Sequence, residues 1–201
     1  MPFKIAPIVE GHGEYESVPL LFRRVIAQLN LAVPIEIVRP IRRARGTLLK
    51  ERGIEAAVCL AAIEIGEEGA VFILLDSEGD CPAELAIKLL RRVRNARPDK
   101  KSSVVLAHHE FEAWFLASAS SLKGLHWLND EVEDHPSPEE VQDCKGWIER
   151  WMPIGRKYSE TADQPAFTTQ FDFVLARNAR SFRKFWKELE SVCQAAKAAL
   201  E

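Results

Sequence analysis

Long apolar runs are missing from this chain of 201 residues. No stretch of about 18 uncharged apolar residues occurs, so a membrane-spanning helix is not expected. The N-terminus has no basic region followed by an apolar core and a small-residue cleavage site, and the expected compartment is the cytoplasm. Cysteine is scarce and scattered: Cys59, Cys81, Cys144 and Cys193 form no C-x-x-C pair, which argues against a disulfide framework and against a zinc site. They read as reduced thiols, with Cys81 exposed and the other three buried. Charge of one sign is not in excess. Lys and Arg number 27 against 30 Asp and Glu, a net charge of −3, so any attraction to nucleic acid must come from a local patch. Internal repeats, low-complexity segments and a Walker-type lysine loop are all absent.

What is present is an ordinary globular composition, 47% hydrophobic and 28% charged, at a length suited to one compact unit with additions. Phe3 to Val9, Ile35 to Ile41, Ala70 to Leu75 and Val104 to Ala107 are short apolar or β-branched runs that read as strands. Between them lie helical patterns at about Ser17 to Leu31, with Pro19 in the first turn, at Glu51 to Ile65 and at Pro82 to Ala96. Strands alternating with helices predict an α/β fold built on a parallel sheet flanked by helices. After His108 the pattern turns helical. "EFEAWFLASA" is one such segment, "HPSPEEVQDCKGWIERWM" has a capping box at Ser137 and Glu140, and Ser181 to Leu200 is an amphipathic tail. The expected organisation is an α/β domain over 1–118 and a mostly helical extension over 119–201, packed on the same core.

Carboxylates mark the strand ends. Glu10 follows the first run, and "DSEGD" (Asp76, Glu78, Asp80) begins where the third run stops. Ligands gather at the carboxyl edge of a parallel sheet. If the first and third strands are neighbours, these acids converge, and a hard divalent cation with oxygen ligands relieves their repulsion most simply. Gly11 and Gly13 allow a tight turn and close approach of an anion to the start of the next helix. Other readings compete. A dinucleotide fingerprint wants a small residue where Glu16 stands, and a calcium loop wants a late glutamate that is missing. Asp76 to Asp80 also suit simple capping of the helix that begins at Pro82.

A glutamate and glycine after the first strand, with acids at i and i+2 after the third, resemble the Toprim domain of topoisomerases, primases and OLD-type nucleases. More closely, "IVEGHGEYESVPLLFRR", "HHEFEAWFLA" and "KYSETADQPAFTTQFDF" resemble a bacterial Toprim-related family, domain of unknown function 4276, in three blocks that span nearly the whole chain. The resemblance implies a Toprim-like fold and phosphodiester chemistry assisted by Mg²⁺ or Mn²⁺. It marks Glu10 as a metal ligand or general acid/base and Asp76 as the first acid of the motif pair. Glu78 stands where the motif has its second aspartate, with Asp80 as the alternative ligand. Tyr15 and Tyr158 are the only tyrosines, and the chain is too short for a topoisomerase or a primase. A small nuclease, or a nuclease-like subunit working with an ATPase-type or defence-complex partner, fits better. The alternative is a non-catalytic nucleotide- or nucleic-acid-binding subunit of a defence or genome-maintenance complex.

Further candidates complete the set. Helical spacing puts Glu110 and Glu112 about 200° apart, so one of them at most faces the site, and Glu112 is the choice. His108 and His109, at the end of the fourth strand, are candidates for polarising water or holding phosphate, although such a pair is more often structural. Lys157 is a candidate for neutralising a phosphate and Asp163 for a further carboxylate; an ordered loop capped by Asp163 is the competing reading. Arg42, Arg43 and Arg45, just after the second strand, form the better candidate patch for nucleic acid, while no aromatic ladder signals single-strand binding.

Overall fold

The computed structural model describes residues 2–200, with side chains through residue 198. The apolar runs form β1 (Phe3–Val9), β2 (Ile35–Ile37), β3 (Ile41–Arg42), β4 (Gly69–Asp76) and β5 (Lys101–Ala107). All pair in parallel, in the order β2-β1-β4-β5, with β3 continuing along β1 beyond β2. The second run is therefore two short strands. Pro40 lies between them and has no N–H to donate, which breaks the ladder there.

Strand alternation divides the interior in two. Ala70, Phe72 and Leu74 of β4 face one apolar cluster, and Val71, Ile73 and Leu75 face the other. The second cluster is covered by α2 (Arg45–Leu49), α3 (Gly53–Ile65) and α4 (Pro82–Ala96). The first is covered by α1 (His12–Leu29) and by the C-terminal elements α5 (Ala113–Leu116), α6 (Cys144–Glu149), α7 (Asp163–Thr168), α8 (Phe173–Ala176) and α9 (Arg180–Leu200). Aromatic rings bind that side together. Phe22 of α1 meets Phe72 of β4 edge-on at 4.9 Å, and Phe185 of α9 packs on both Phe72 and Trp114. The indole N–H of the fully buried Trp114 donates to Ser181 Oγ at 2.8 Å, so a polar atom in this core is satisfied. Residues after 118 thus share a core with the sheet.

Several elements differ from their sequence reading. α1 starts at His12, which places Pro19 inside the helix and not in its first turn. "EFEAWFLASA" holds only the short α5 and one 3₁₀ turn, Ala119–Leu122. Ser137 makes no side-chain cap, and Pro138–Glu140 is a single 3₁₀ turn; its Glu139 accepts from the Ser181 N–H at the start of α9, 2.6 Å away. The helix that follows is capped by Asp143, which accepts from Gly146 N–H at 2.8 Å. Cys59 lies exposed on the outer face of α3, as does Cys81 ahead of α4, while Cys144 and Cys193 are buried. Among the described residues no helix is long and apolar enough to cross a membrane.

Candidate functional site

β1 and β4 lie side by side, and their terminal acids meet. Glu10 Oε1 accepts the Asp76 backbone N–H at 2.5 Å. Asp76 continues the parity of Phe72 and Leu74, so its side chain leaves the sheet toward α1 and the C-terminal elements. There it comes within electrostatic reach of Glu14 and Glu112 as well as Glu10.

Glu14 sits in the first turn of α1 and is 6% exposed; Glu112, just before α5, is 0% exposed. The helix N-terminus favours a carboxylate at Glu14. Gln164 of α7 donates to Glu14 Oε1 at 3.2 Å, while Glu14 Oε2 and both oxygens of Glu112 receive no hydrogen bond. One ammonium serves this side. Lys145 of α6 stands 3.2 Å from Glu110, 3.3 Å from Glu112 and 3.5 Å from Glu160, and Glu110 also accepts from Cys144 N–H at 2.9 Å. The helical-wheel argument that only one of Glu110 and Glu112 faces inward fails because residues 110–112 form a turn. Both reach Lys145.

Crowded carboxyls hold their protons. Burial and then the neighbouring acids push Asp76 well above the usual carboxylate range. Burial pushes Glu10 up to about 7 against the Asp76 N–H, which favours its ionised form. Burial likewise raises Glu112 to about 7 even though Lys145 opposes it. The same acids raise Lys145, which stays charged. The buried Tyr158 hydroxyl lies in the field of Glu112 and is raised by burial and by that charge.

The second acid of the motif pair goes elsewhere. Glu78 and Asp80 are exposed and pair with Arg45, at 3.2 and 2.5 Å. Arg45 also donates to the carbonyls of Asp76 and Ser77, each at 3.1 Å, so it clamps the β4–α4 loop and is not a free cation of a nucleic-acid patch. Glu78 has φ +49°, a left-handed conformation unusual outside glycine. Its carboxylate goes to Arg45 and acts on Glu10 only as a weak, more distant charge.

The remaining candidates scatter. His108 and His109 stack at 4.5 Å. His109 ties the loops together: its N–H donates to Ser77 Oγ and its Nδ1 to the Glu78 carbonyl, both at 2.9 Å. Burial, then His109, lowers His108 and keeps it neutral. Lys157 is exposed and pairs with Glu149 at 2.7 Å, which takes it away from the acids. Asp163 is fully buried and accepts from Arg156, Ser159 N–H and His126 at 2.7, 2.7 and 3.0 Å, so it orders the loop before α7. Arg43 is exposed and donates to the Arg42 carbonyl. Gly11 and Gly13 do clear space, but protein fills it: a Cβ on Gly11 collides with the Glu14 carboxylate, and one on Gly13 collides with the Gln164 amide and the Glu160 carbonyl.

Glu14, Lys145 and Gln164, which were not site candidates from sequence, complete the centre together with Glu110, which was passed over in favour of Glu112. For Glu14 a signal existed. Continuing the buried stripe Val25, Leu21/Phe22, Ser17/Val18 back one turn lands on Glu14. Nothing local marks Lys145.

Glu10, Glu14, Asp76 and Glu112 have the chemistry of a hard divalent site: all-oxygen donors, excess negative charge and buried oxygens without partners. Among the described residues no three acids, histidines or cysteines are already drawn together as a coordination shell; these four stand within electrostatic reach and not in contact. Residues 9–190 match a family model described as a domain of unknown function (DUF4276). No curated protein and no solved structure matches the chain.

Proposed function

We propose a function for this chain, which belongs to the DUF4276 family over residues 9–190, from its acidic centre: metal-assisted cleavage of a phosphodiester in nucleic acid, by a Toprim-like, OLD-nuclease-like site. The observation that carries it is the meeting of Glu10 and Asp76 at adjacent strand ends, with Glu14 and Glu112 buried beside them and Lys145 as the cation among them. Mg²⁺ or Mn²⁺ would be held by Glu10, Asp76, the unpartnered Oε2 of Glu14, and Glu112, whose Oε2 also faces Lys145. Such an ion, when bound, supplies Lewis acidity toward a phosphoryl oxygen and orients the phosphodiester.

The chain's own residues supply the rest. Without an ion Glu10 and Glu112, each raised to about 7, are part-protonated near neutral pH, and binding a divalent cation would release those protons and leave both carboxylates as ligands. Lys145 holds Glu110 and Glu112 in place. Glu112 stands in for the motif's second acid, since Glu78 is engaged by Arg45.

The test is incubation of purified protein with labelled single- and double-stranded DNA and RNA, with Mg²⁺ or Mn²⁺. Cleavage is expected, and Asp76→Ala should abolish it while circular dichroism shows an intact fold. No cleavage of any substrate by the parent protein overturns the reading. One observation favours a second reading, a binding subunit without chemistry in a defence or genome-maintenance complex with a partner such as an ATPase: Arg45 occupies both Glu78 and Asp80. Calorimetry separates the two, because that subunit binds nucleic acid without taking up Mg²⁺ or Mn²⁺.

A further inference from the structure

Two clefts adjoin on the outer surface of α1. One, of about 700 Å³, is lined by His12 and Arg42. The other, of about 530 Å³, is lined by Arg23 and Arg39. Tyr15, Glu16 and Pro165 line both, so the clefts are two halves of one groove with Tyr15 between them. The groove lies beside the end of β1, where Arg42 of β3 pairs with Val9 and Glu10 is the next residue, although none of the four acids lines it.

None of the groove's three arginines pairs with a carboxylate among the described residues. Among the described residues, Arg45, Arg92, Arg97 and Arg156 each pair with a carboxylate, whereas Arg23 and Arg42 pair with none. Arg39 donates to the Tyr15 hydroxyl and lies over its ring at 5.6 Å, which fixes the ring as a rigid wall of the Arg42 half. Glu16 is exposed and forms no ion pair among the described residues. A carboxylate repels phosphate but accepts hydrogen bonds from amino and ring N–H groups of bases. Arginines that suit phosphate thus flank an aromatic wall and an acceptor that suit a base.

We infer that this groove holds an unpaired stretch of nucleic acid, one base against Tyr15 and the flanking phosphates on Arg42 and on Arg23 and Arg39. Only an unpaired strand offers the face of a base to a side chain; a duplex keeps its faces stacked inside. That the acidic centre therefore cuts single strands rests on the function proposed above; binding in the groove does not.

The experiment is fluorescence anisotropy in EDTA, with a labelled single strand of about 12 nucleotides, as DNA and as RNA, against the same sequence in duplex. Single strand should bind at least about tenfold tighter than duplex. Tyr15→Ala should weaken it about tenfold and Tyr15→Phe should not. Arg42→Ala, which leaves the ring untouched, should flatten the slope of log affinity against log salt by about 0.7. Equal or tighter binding of duplex, or parent-like binding by both Tyr15→Ala and Arg42→Ala, overturns the inference. Cleavage of duplex together with equal or tighter binding of duplex in EDTA removes the groove assignment and leaves the nuclease. Selective single-strand binding without cleavage in Mg²⁺ or Mn²⁺ removes the nuclease and leaves the groove.

Discussion

Asp76 and Glu78 are two residues apart and live in opposite electrostatic surroundings. Asp76 is the last residue of β4, turned toward Glu10, Glu14 and Glu112, where carboxylates outnumber the one ammonium and burial removes the water that would screen them. Glu78 belongs to an exposed loop in which Arg45 matches it and Asp80 with a guanidinium and keeps both in water. In the first region charge is held in excess and protons compensate; in the second a single arginine neutralises it. Excess buried charge is unfavourable for folding alone and becomes useful when a cation binds. The difference separates a centre with negative charge in excess, where we propose that an ion binds, from a loop clamp that has its own cation.

The contrast gives predictions of decreasing size. Lys145→Met leaves Glu112 buried without its counter-charge and should cost about 3–5 kcal/mol at pH 8, a fall in Tm of roughly 10 °C for a chain of this size. Thermal melts check it, and an unchanged Tm would mean that Lys145 is not the balancing charge. Next is the pH profile of the metal-free protein. Glu10 and Glu112 go from 4.5 to about 7 on folding. Between those values the native state keeps protons that the unfolded chain has lost, so stability falls as pH rises through that window and levels off above it. The span is on the order of 3 kcal/mol for each of the two carboxyls, measured by urea unfolding from pH 4.5 to 8, and Mg²⁺ should flatten it. Paired acids behave oppositely. Asp99, lowered to about 2 by its hydrogen bond to Arg97, supports the fold above about 4 and loses that support as pH falls toward 2.

The loop clamp gives the smaller effects. Arg45→Ala should cost about 1 kcal/mol, because its acidic partners are solvent-exposed. Glu78→Gln should stay within about 0.5 kcal/mol and keep metal-dependent cleavage, in contrast to Asp76→Ala. Loss of cleavage in Glu78→Gln would place the loop acids at the ion and erase the distinction between the two regions.

Much of this arrangement was legible along the chain. The strand ends at Glu10 and Asp76, the alternation of strands and helices, and α4 over Pro82–Ala96 follow from local periodicity and punctuation. The start of α1 was misread because Pro19 suggested a first turn. Placing the start at Ser17 left Glu14 in a loop, when the buried stripe already passed through it. Glu112 was chosen on a helical wheel, yet residues 110–112 form a turn that delivers Glu110 to the same lysine. The glycines suggested an anion, but their missing side chains make room for Glu14 and Gln164.

Local pattern along the chain suffices for the layered α/β fold and for the two acids that end β1 and β4, since burial period and strand length depend on near neighbours. It took packing in three dimensions to bring Glu14 and Lys145 to those acids and to Glu112, and to turn Glu78 and Asp80 to Arg45. That choice depends on sheet order, on the left-handed turn at Glu78 and on helices brought in from distant segments, none of which has a local signature. Electrostatic company is a property of position in space, and residues far apart in sequence supply it.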